Sequence, residues 1–320
     1  HDTKRGEDAR ARLNVLTDMY KEWLEAVKEW FILNKDIRKK EAPDANDEYF
    51  IYQSLISNYP MPGEEEADFK NRFTAYLTKA LREAKRHSDW AQPDEAYEKA
   101  CKGFAEQLLD KRRSFWKSFA ALHKKAASFG IMNSLAQLAL KLTCPGTPDI
   151  YQGCELWDLS FVDPDNRRPV DYKRRQGLLQ QVIRKRDGAG LLTELWKDKF
   201  NAELKLWLTY TLLQDRRLHA DVFSKGDYIP LETAGKYKTN VLAYARHYRQ
   251  RWRLTAVPLH LATLCGIQKK GIFHLNWEDT RIILPADGPL IWDHLLSHKK
   301  IRTERELPFQ SIMPLAVLAD

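Results

Sequence analysis

The chain has 320 residues, 43% of them hydrophobic, with ten Trp, thirteen Tyr and thirteen Phe, enough apolar mass to bury one large core or two smaller ones and too much for a disordered chain. No apolar run approaches the roughly 20 residues that span a bilayer, and the first residues are too charged for a signal peptide, so a cytoplasmic protein without a membrane partner is expected. The net charge of +8 sits in short clusters such as Arg38-Lys39-Lys40, Lys111-Arg112-Arg113 and Lys173-Arg174-Arg175, interleaved with acids and without a helix-turn-helix, zinc-finger or RNA-recognition pattern; they read as solvated helix faces and not as a nucleic-acid surface.

From residue 7 to 34, Leu13, Leu16, Tyr20, Trp23, Val27 and Trp30 recur at three- and four-residue steps, which predicts one long amphipathic helix. Pro43, Pro60 and Pro62 then break the chain around a short helix near 46 to 57. Helical patterns follow at 64 to 87, at 93 to 110 behind Pro93-Asp94, and at 111 to 142 through Phe115, Phe119, Leu122, Phe129, Leu135 and Leu138. The pattern changes at Cys144. Pro145, Gly146 and Pro148 make a turn, Asp149-Ile150-Tyr151 is short and extended, and Asp163 to Pro169 is too rich in Pro, Asn and Asp for regular structure. Residues 171 to 187 and 201 to 214 are again helical. Short β segments follow at Tyr228 to Leu231, Asn240 to Tyr244, Leu254 to Val257, Arg281 to Leu284 and Ile312 to Leu318, the spacing of an antiparallel sheet or sandwich. Cys101, Cys144, Cys154 and Cys265 form no CxxC pair and have no His at ligand spacing, so neither a zinc site nor a disulfide framework is expected.

The residues that can carry chemistry lie near the beginning and in the middle. His1-Asp2 offers a carboxylate beside an imidazole, although an aspartate there also suits the N-terminal end of the helix near Glu7. Tyr151-Gln152-Gly153 offers an apolar ring face and an amide with donor and acceptor, as a sugar site needs, while Tyr151 alone suits a core as well. Glu155 and Trp157 follow in the same loop. Arg167 and Arg168 can each fork onto a carboxylate of a site, onto sugar hydroxyls, or onto Asp163 or Asp165 to hold the loop in shape.

Taken in order, His1-Asp2-Thr3-Lys4-Arg5, Pro145-Gly146-Thr147-Pro148-Asp149-Ile150-Tyr151-Gln152-Gly153 and Asp163-Pro164-Asp165-Asn166-Arg167-Arg168-Pro169 resemble the last shared part of the catalytic barrel in the α-amylase superfamily (glycoside hydrolase family 13). Within it they are most similar to the maltooligosyl trehalose synthases, and the long helical insertion between the His-Asp motif and the eighth strand agrees with that branch. Phe223 to Leu231 resembles the start of the carboxyl-terminal β domain. The resemblance implies an α+β chain that is the carboxyl-terminal part of such an enzyme. Residues 1–13 would be the end of the seventh-strand region, 14–142 a mostly helical insertion, 143–216 the last barrel strand with its substrate loop and helices, and 217–320 an antiparallel β-sandwich domain.

What the family does implies a reaction. The reducing-end α-1,4 bond of a maltooligosaccharide would be cleaved with retention, and the glycosyl unit returned to C1 of the released glucose as an α,α-1,1 trehalose linkage. Retention requires two carboxylates, a nucleophile and an acid/base, about 5 to 5.5 Å apart. The resemblance makes Asp2 neither of these but the third acid, which stabilises the transition state by gripping the sugar as its ring flattens. His1, Lys4, Tyr151, Gln152, Arg167 and Arg168 become substrate-binding residues, and no metal or organic cofactor is implied. The family's nucleophile and acid/base lie on earlier strands, and the resemblance gives Glu7 and Asp8 no such role. The chain by itself is therefore expected to be inactive, with the amino-terminal part of the same polypeptide as its partner. The competing readings are an amylase-like hydrolase or 4-α-glucanotransferase fragment, and a non-catalytic glucan-binding module.

Overall fold

Aspartates cap two of the helices in the first half of the chain. The computed structural model describes residues 2–39, 41–64, 67–185, 190–312 and 314–320, and the chain divides into two units, His1–Ile131 with Asp158–Pro169, and Met132–Trp157 with Val170–Asp320. The first unit is built from α1 (Glu7–Asp18), α2 (Tyr20–Leu33), α3 (Ala45–Asn58), α4 (Phe69–Ala84), α5 (Glu95–Leu108) and most of α6 (Ser114–Thr143), the helix that carries the chain onward into the second unit. Asp44 accepts the backbone N–H of Asp47 at 2.8 Å and Asp94 that of Tyr97 at 2.9 Å, each satisfying a donor that the helix itself leaves unpaired. The expected single helix over 7 to 34 is two, parted at Met19, whose φ of −107° and ψ of 25° interrupt the turn. Neither Pro nor Gly marks the break. Trp30 is fully buried, with Phe115 at 5.1 Å and Tyr52 at 5.3 Å between ring centroids, in the edge-to-face arrangement that aromatic quadrupoles favour.

The second unit contains α7 (Tyr172–Lys185), α8 (Leu191–Lys197), α9 (Glu203–Leu218), α10 (Ala220–Ser224) and α11 (Leu261–Gln268). Its strands are β1 (Asp227–Pro230), β2 (Thr233–Ala234), β3 (Val241–Tyr248), β4 (Arg251–Pro258), β5 (Arg281–Ile283), β6 (Ile291–His294), β7 (Lys300–Arg302), β8 (Glu306–Pro308) and β9 (Ala316–Ala319). They form a six-stranded antiparallel sheet in the order β1-β3-β4-β9-β6-β7 and a three-stranded one in the order β2-β5-β8. The mixture of helices with antiparallel sheet is the one expected. Strands β2, β6, β7 and β8 and helices α8, α10 and α11 are not apparent in the residue pattern; each is short, and short elements carry few periods to read.

Asp149-Ile150-Tyr151, expected to be short and extended, lies in no described strand; no described strand runs beside it to take its backbone hydrogen bonds, and a lone strand leaves those groups unpaired. Two arginines hold the second unit's helices to its sheet. Buried Arg246 on β3 donates to the carbonyls of Thr143, Phe223 and Gly226, and Arg253 on β4 holds Asp215 and Asp320, each at 2.8 Å. No described helix is long and apolar enough to cross a membrane.

Candidate functional site

Asp2 lies at the surface of the first unit, and a second segment of chain runs beside it. The backbone N–H of Asp163 donates to the Asp2 carbonyl at 3.2 Å, and that of Gly6 to the Ser160 carbonyl at 2.8 Å. Asp8, buried, accepts the Asp158 N–H at 2.6 Å. Asn58, at the end of α3, donates to the carbonyls of Leu159 and Ser160 at 3.1 and 2.9 Å. Residues 2–8 and 158–163 are thus laid side by side by backbone pairing and fixed from below by a helix terminus.

Arg167 joins the two segments chemically. Its Nη2 donates to Asp2 Oδ1 at 3.0 Å, and its Nε pairs with the Asp163 carboxylate. Arg168 turns elsewhere, donating to the Asp165 carbonyl at 3.1 Å and to Ser160 Oγ at 3.3 Å. The side chains of Asp2 and Arg167 are 77% and 59% exposed, so water screens their pairing and its net stabilisation is small, about 0–1 kcal/mol. Such a pair orients the carboxylate without trapping it, and an incoming hydroxyl can compete for either partner. Lys4 is exposed on the same segment, and His1 lies outside the described residues.

The loop is held from its buried side. Phe161 stacks on Tyr76 at 4.5 Å and on Phe73 at 5.7 Å, Arg72 donates to Asp165 Oδ2 at 2.8 Å, and Lys79 donates to the Asp163 carbonyl at 2.7 Å. Arg5 reaches the hydroxyls of Ser57, Ser54 and Tyr76 at 2.9, 3.0 and 3.1 Å, anchoring the amino-terminal motif to α3 and α4. Beneath them Arg12 is fully buried, its Nη1 against the Tyr59 carbonyl at 2.5 Å and His123 Nε2 at 3.0 Å. Burial pulls the Arg12 pKa down to about 9, opposed by the charge of Asp8. Burial and then the Arg12 charge hold His123 well below its ordinary value, so the imidazole is a neutral acceptor. Sequence reasoning does not single out Asn58, Arg72, Lys79 or Arg12, since their partners lie tens of residues away and no local spacing announces them.

Tyr151 and Gln152 belong to the second unit, Tyr151 half-buried and Gln152 exposed. Gly153, at φ +87°, reverses the chain where a side chain would be strained. Arg175 on α7 pins the turn, donating to the Gly153 carbonyl at 2.8 Å and to Glu155 at 2.9 Å. Lys205 on α9 donates to the Leu156 carbonyl at 3.1 Å and lies over the Trp157 ring at 5.7 Å. Glu155 and Trp157 thereby have structural partners within the unit.

Asp44, Asp47 and His87 offer ligand atoms within 4.8 Å of one another, but their atoms are already engaged. Asp44 caps α3 and meets His87 Nε2 at 2.8 Å, Asp47 accepts the Tyr97 hydroxyl at 2.6 Å, and Arg86 adds a positive charge 3.4 Å away. The cluster is an internal hydrogen-bond network ill suited to a cation. The four cysteines are free, three buried and Cys144 half-buried against the Tyr244 hydroxyl at 3.3 Å.

No protein-family profile matches the chain. A Mycobacterium tuberculosis protein assigned as a maltooligosyl trehalose synthase is 35% identical over 246 residues, 77% of this chain and 29% of that protein. The solved maltooligosyltrehalose synthase from Arthrobacter ramosus superposes with a TM-score of 0.79 at 26% identity, covering 99% of this chain and 37% of the other. A Sulfolobus tokodaii structure described as a hypothetical maltooligosyl trehalose synthase gives 0.72 at 25% identity, covering 98% and 37%. The chain therefore spans less than two fifths of the relatives it matches, and over that span it is homologous in sequence and in fold to the maltooligosyl trehalose synthases.

Proposed function

We propose that the chain is the carboxyl-terminal part of an enzyme that converts the reducing-end α-1,4 linkage of a maltooligosaccharide into an α,α-1,1 linkage. Residues 1–13 and 143–216 would complete the end of a (β/α)8 barrel, with 14–142 inserted and 217–320 as a carboxyl-terminal β-sandwich. Asp149–Tyr151 would then become a strand by pairing with neighbours from the part of the relatives' length that this chain does not span. Asp2 acts as the transition-state stabiliser, and His1, Lys4, Tyr151, Gln152, Arg167 and Arg168 bind sugar. The nucleophile and acid/base come from the remainder of the enzyme. The acid/base protonates the leaving glucose O4 while the nucleophile takes C1. The glucose anomeric hydroxyl then attacks that C1, returning its proton to the acid/base and freeing the nucleophile.

The observation that carries this reading is the Asp2 carboxylate held by Arg167 across two segments far apart in sequence, which orients an acid at the surface where a sugar hydroxyl can reach it. Homology to synthases over most of the chain supports the choice of reaction. The test is the parent enzyme and its Asp2→Asn variant with maltopentaose, followed by reducing-end assay and NMR. Falling reducing ends with a new α,α-1,1 anomeric signal, lost in the variant, are expected. A rise in reducing ends marks a hydrolase, and an unimpaired variant removes Asp2 from the mechanism.

A further inference from the structure

Between the end of α9 and the tip of the β3–β4 hairpin, the second unit has a cavity of about 600 Å³, within the roughly 300–1,000 Å³ of small-molecule sites. Arg217, Arg249 and Arg251 give it positive charge, and Leu218, 70% exposed, supplies an apolar wall. These guanidinium groups differ from Arg38, Arg82 and Arg253, each of which holds a carboxylate. Among the described residues, none of the three forms an ion pair with a carboxylate. The one acid of the lining, Asp221, is taken by Lys225 at 2.9 Å, and the nearby Asp215 and Asp320 are taken by Arg253.

The three are nevertheless held in place. Arg217 Nη2 donates to Gln214 Oε1 at 2.7 Å, Arg251 Nη1 lies 2.6 Å from His219 Nδ1, and Arg249 lies over the Tyr248 ring at 5.2 Å. Burial and the charge of Arg253 lower the His219 pKa, which keeps its ring neutral and able to accept from Arg251. Each guanidinium has five N–H donors, and these contacts use at most one of them. Arg249 also sits at φ 57° in the two-residue turn between the paired residues Tyr248 and Arg251, where Asn or Gly would be less strained. Cations that lack an acid, are already oriented and share one cavity favour an anion with several oxygens, since ordering them costs little on binding.

We propose that this cleft binds a small phosphorylated molecule, the guanidinium forks taking phosphate oxygens in pairs and Leu218 covering the organic remainder. The site lies within the second unit and does not depend on the role given to Asp2. Calorimetric titration of the chain with pyrophosphate, and in a second arm with ADP, tests it at constant ionic strength. Saturable binding is expected, weakened about tenfold by Arg217→Gln and by Arg251→Gln and unchanged by Lys238→Gln, which is exposed outside the cavity. Arg217 and Arg251 are both exposed, so the variants should melt as the parent does. Tighter binding of ADP is expected, Leu218 then covering its organic part, whereas tighter binding of pyrophosphate would overturn that assignment in favour of a free phosphate anion. Absence of saturable binding in both arms, or equal weakening by Lys238→Gln, overturns the proposal.

Discussion

A methyl group on Gly6 would lie 2.4 Å from the Asp158 carbonyl oxygen and 2.6 Å from its carboxyl carbon. Backbone cannot swing aside as the end of a flexible side chain can, so Gly6→Ala should push residues 158–160 away. The Gly6–Ser160 and Asp8–Asp158 hydrogen bonds would lengthen with them. The expected loss is about 1–3 kcal/mol, the usual cost of overpacking, read as a lower midpoint in thermal unfolding, and in the parent enzyme activity should fall with it because Asp2 is displaced. The motif around Asp2 and Arg167 is legible from residue types in order. The need for glycine at position 6 is not, since it arises from a distance to a residue about 150 positions away.

Among the elements, α1, α3 and α6 meet at Arg12 and His123. An unfolded histidine takes up a proton near pH 6.5, whereas His123, buried and facing a guanidinium, stays neutral to much lower pH. Below 6.5 the unfolded chain thus binds more protons than the native one, and stability must fall as pH falls, by at most about 1.4 kcal/mol per pH unit for this group. Urea unfolding at pH 7 and pH 5 should show a smaller loss in His123→Gln, which can still accept from Arg12 but does not titrate; equal losses would remove His123 as the source. Helix positions are readable because apolar residues recur along them, as at Trp23, Val27 and Trp30. The break at Met19 is not, because neither of its neighbours is a breaker and the apolar spacing runs through it without interruption.

For the whole molecule, the order of the chain and the order of its packing differ. Residues 158–169 belong to the helical unit although residues 132–157 of the other unit come before them. Their partners Asn58, Arg72, Phe73 and Tyr76 lie on α3 and α4. Residues 1–131 alone should therefore unfold at lower temperature than the same residues joined to 158–169 by a flexible linker, and circular dichroism would register the difference. An equal midpoint would mean that the loop contributes nothing to the unit. The change in composition after Cys144 signals where helices give way to turns and strands. It does not signal that the chain goes back to the first unit, because Phe161 and Asp165 show their partners only in three dimensions.

That return also governs the order of events on a ribosome. The aromatic face formed by Phe73 and Tyr76 emerges early, but the ring that covers it, Phe161, is translated only after the intervening stretch of the other unit. At about 5–20 residues per second the nascent helices wait on the order of seconds with that face open. Over that interval the growing polypeptide offers a chaperone an uncovered aromatic face to shelter.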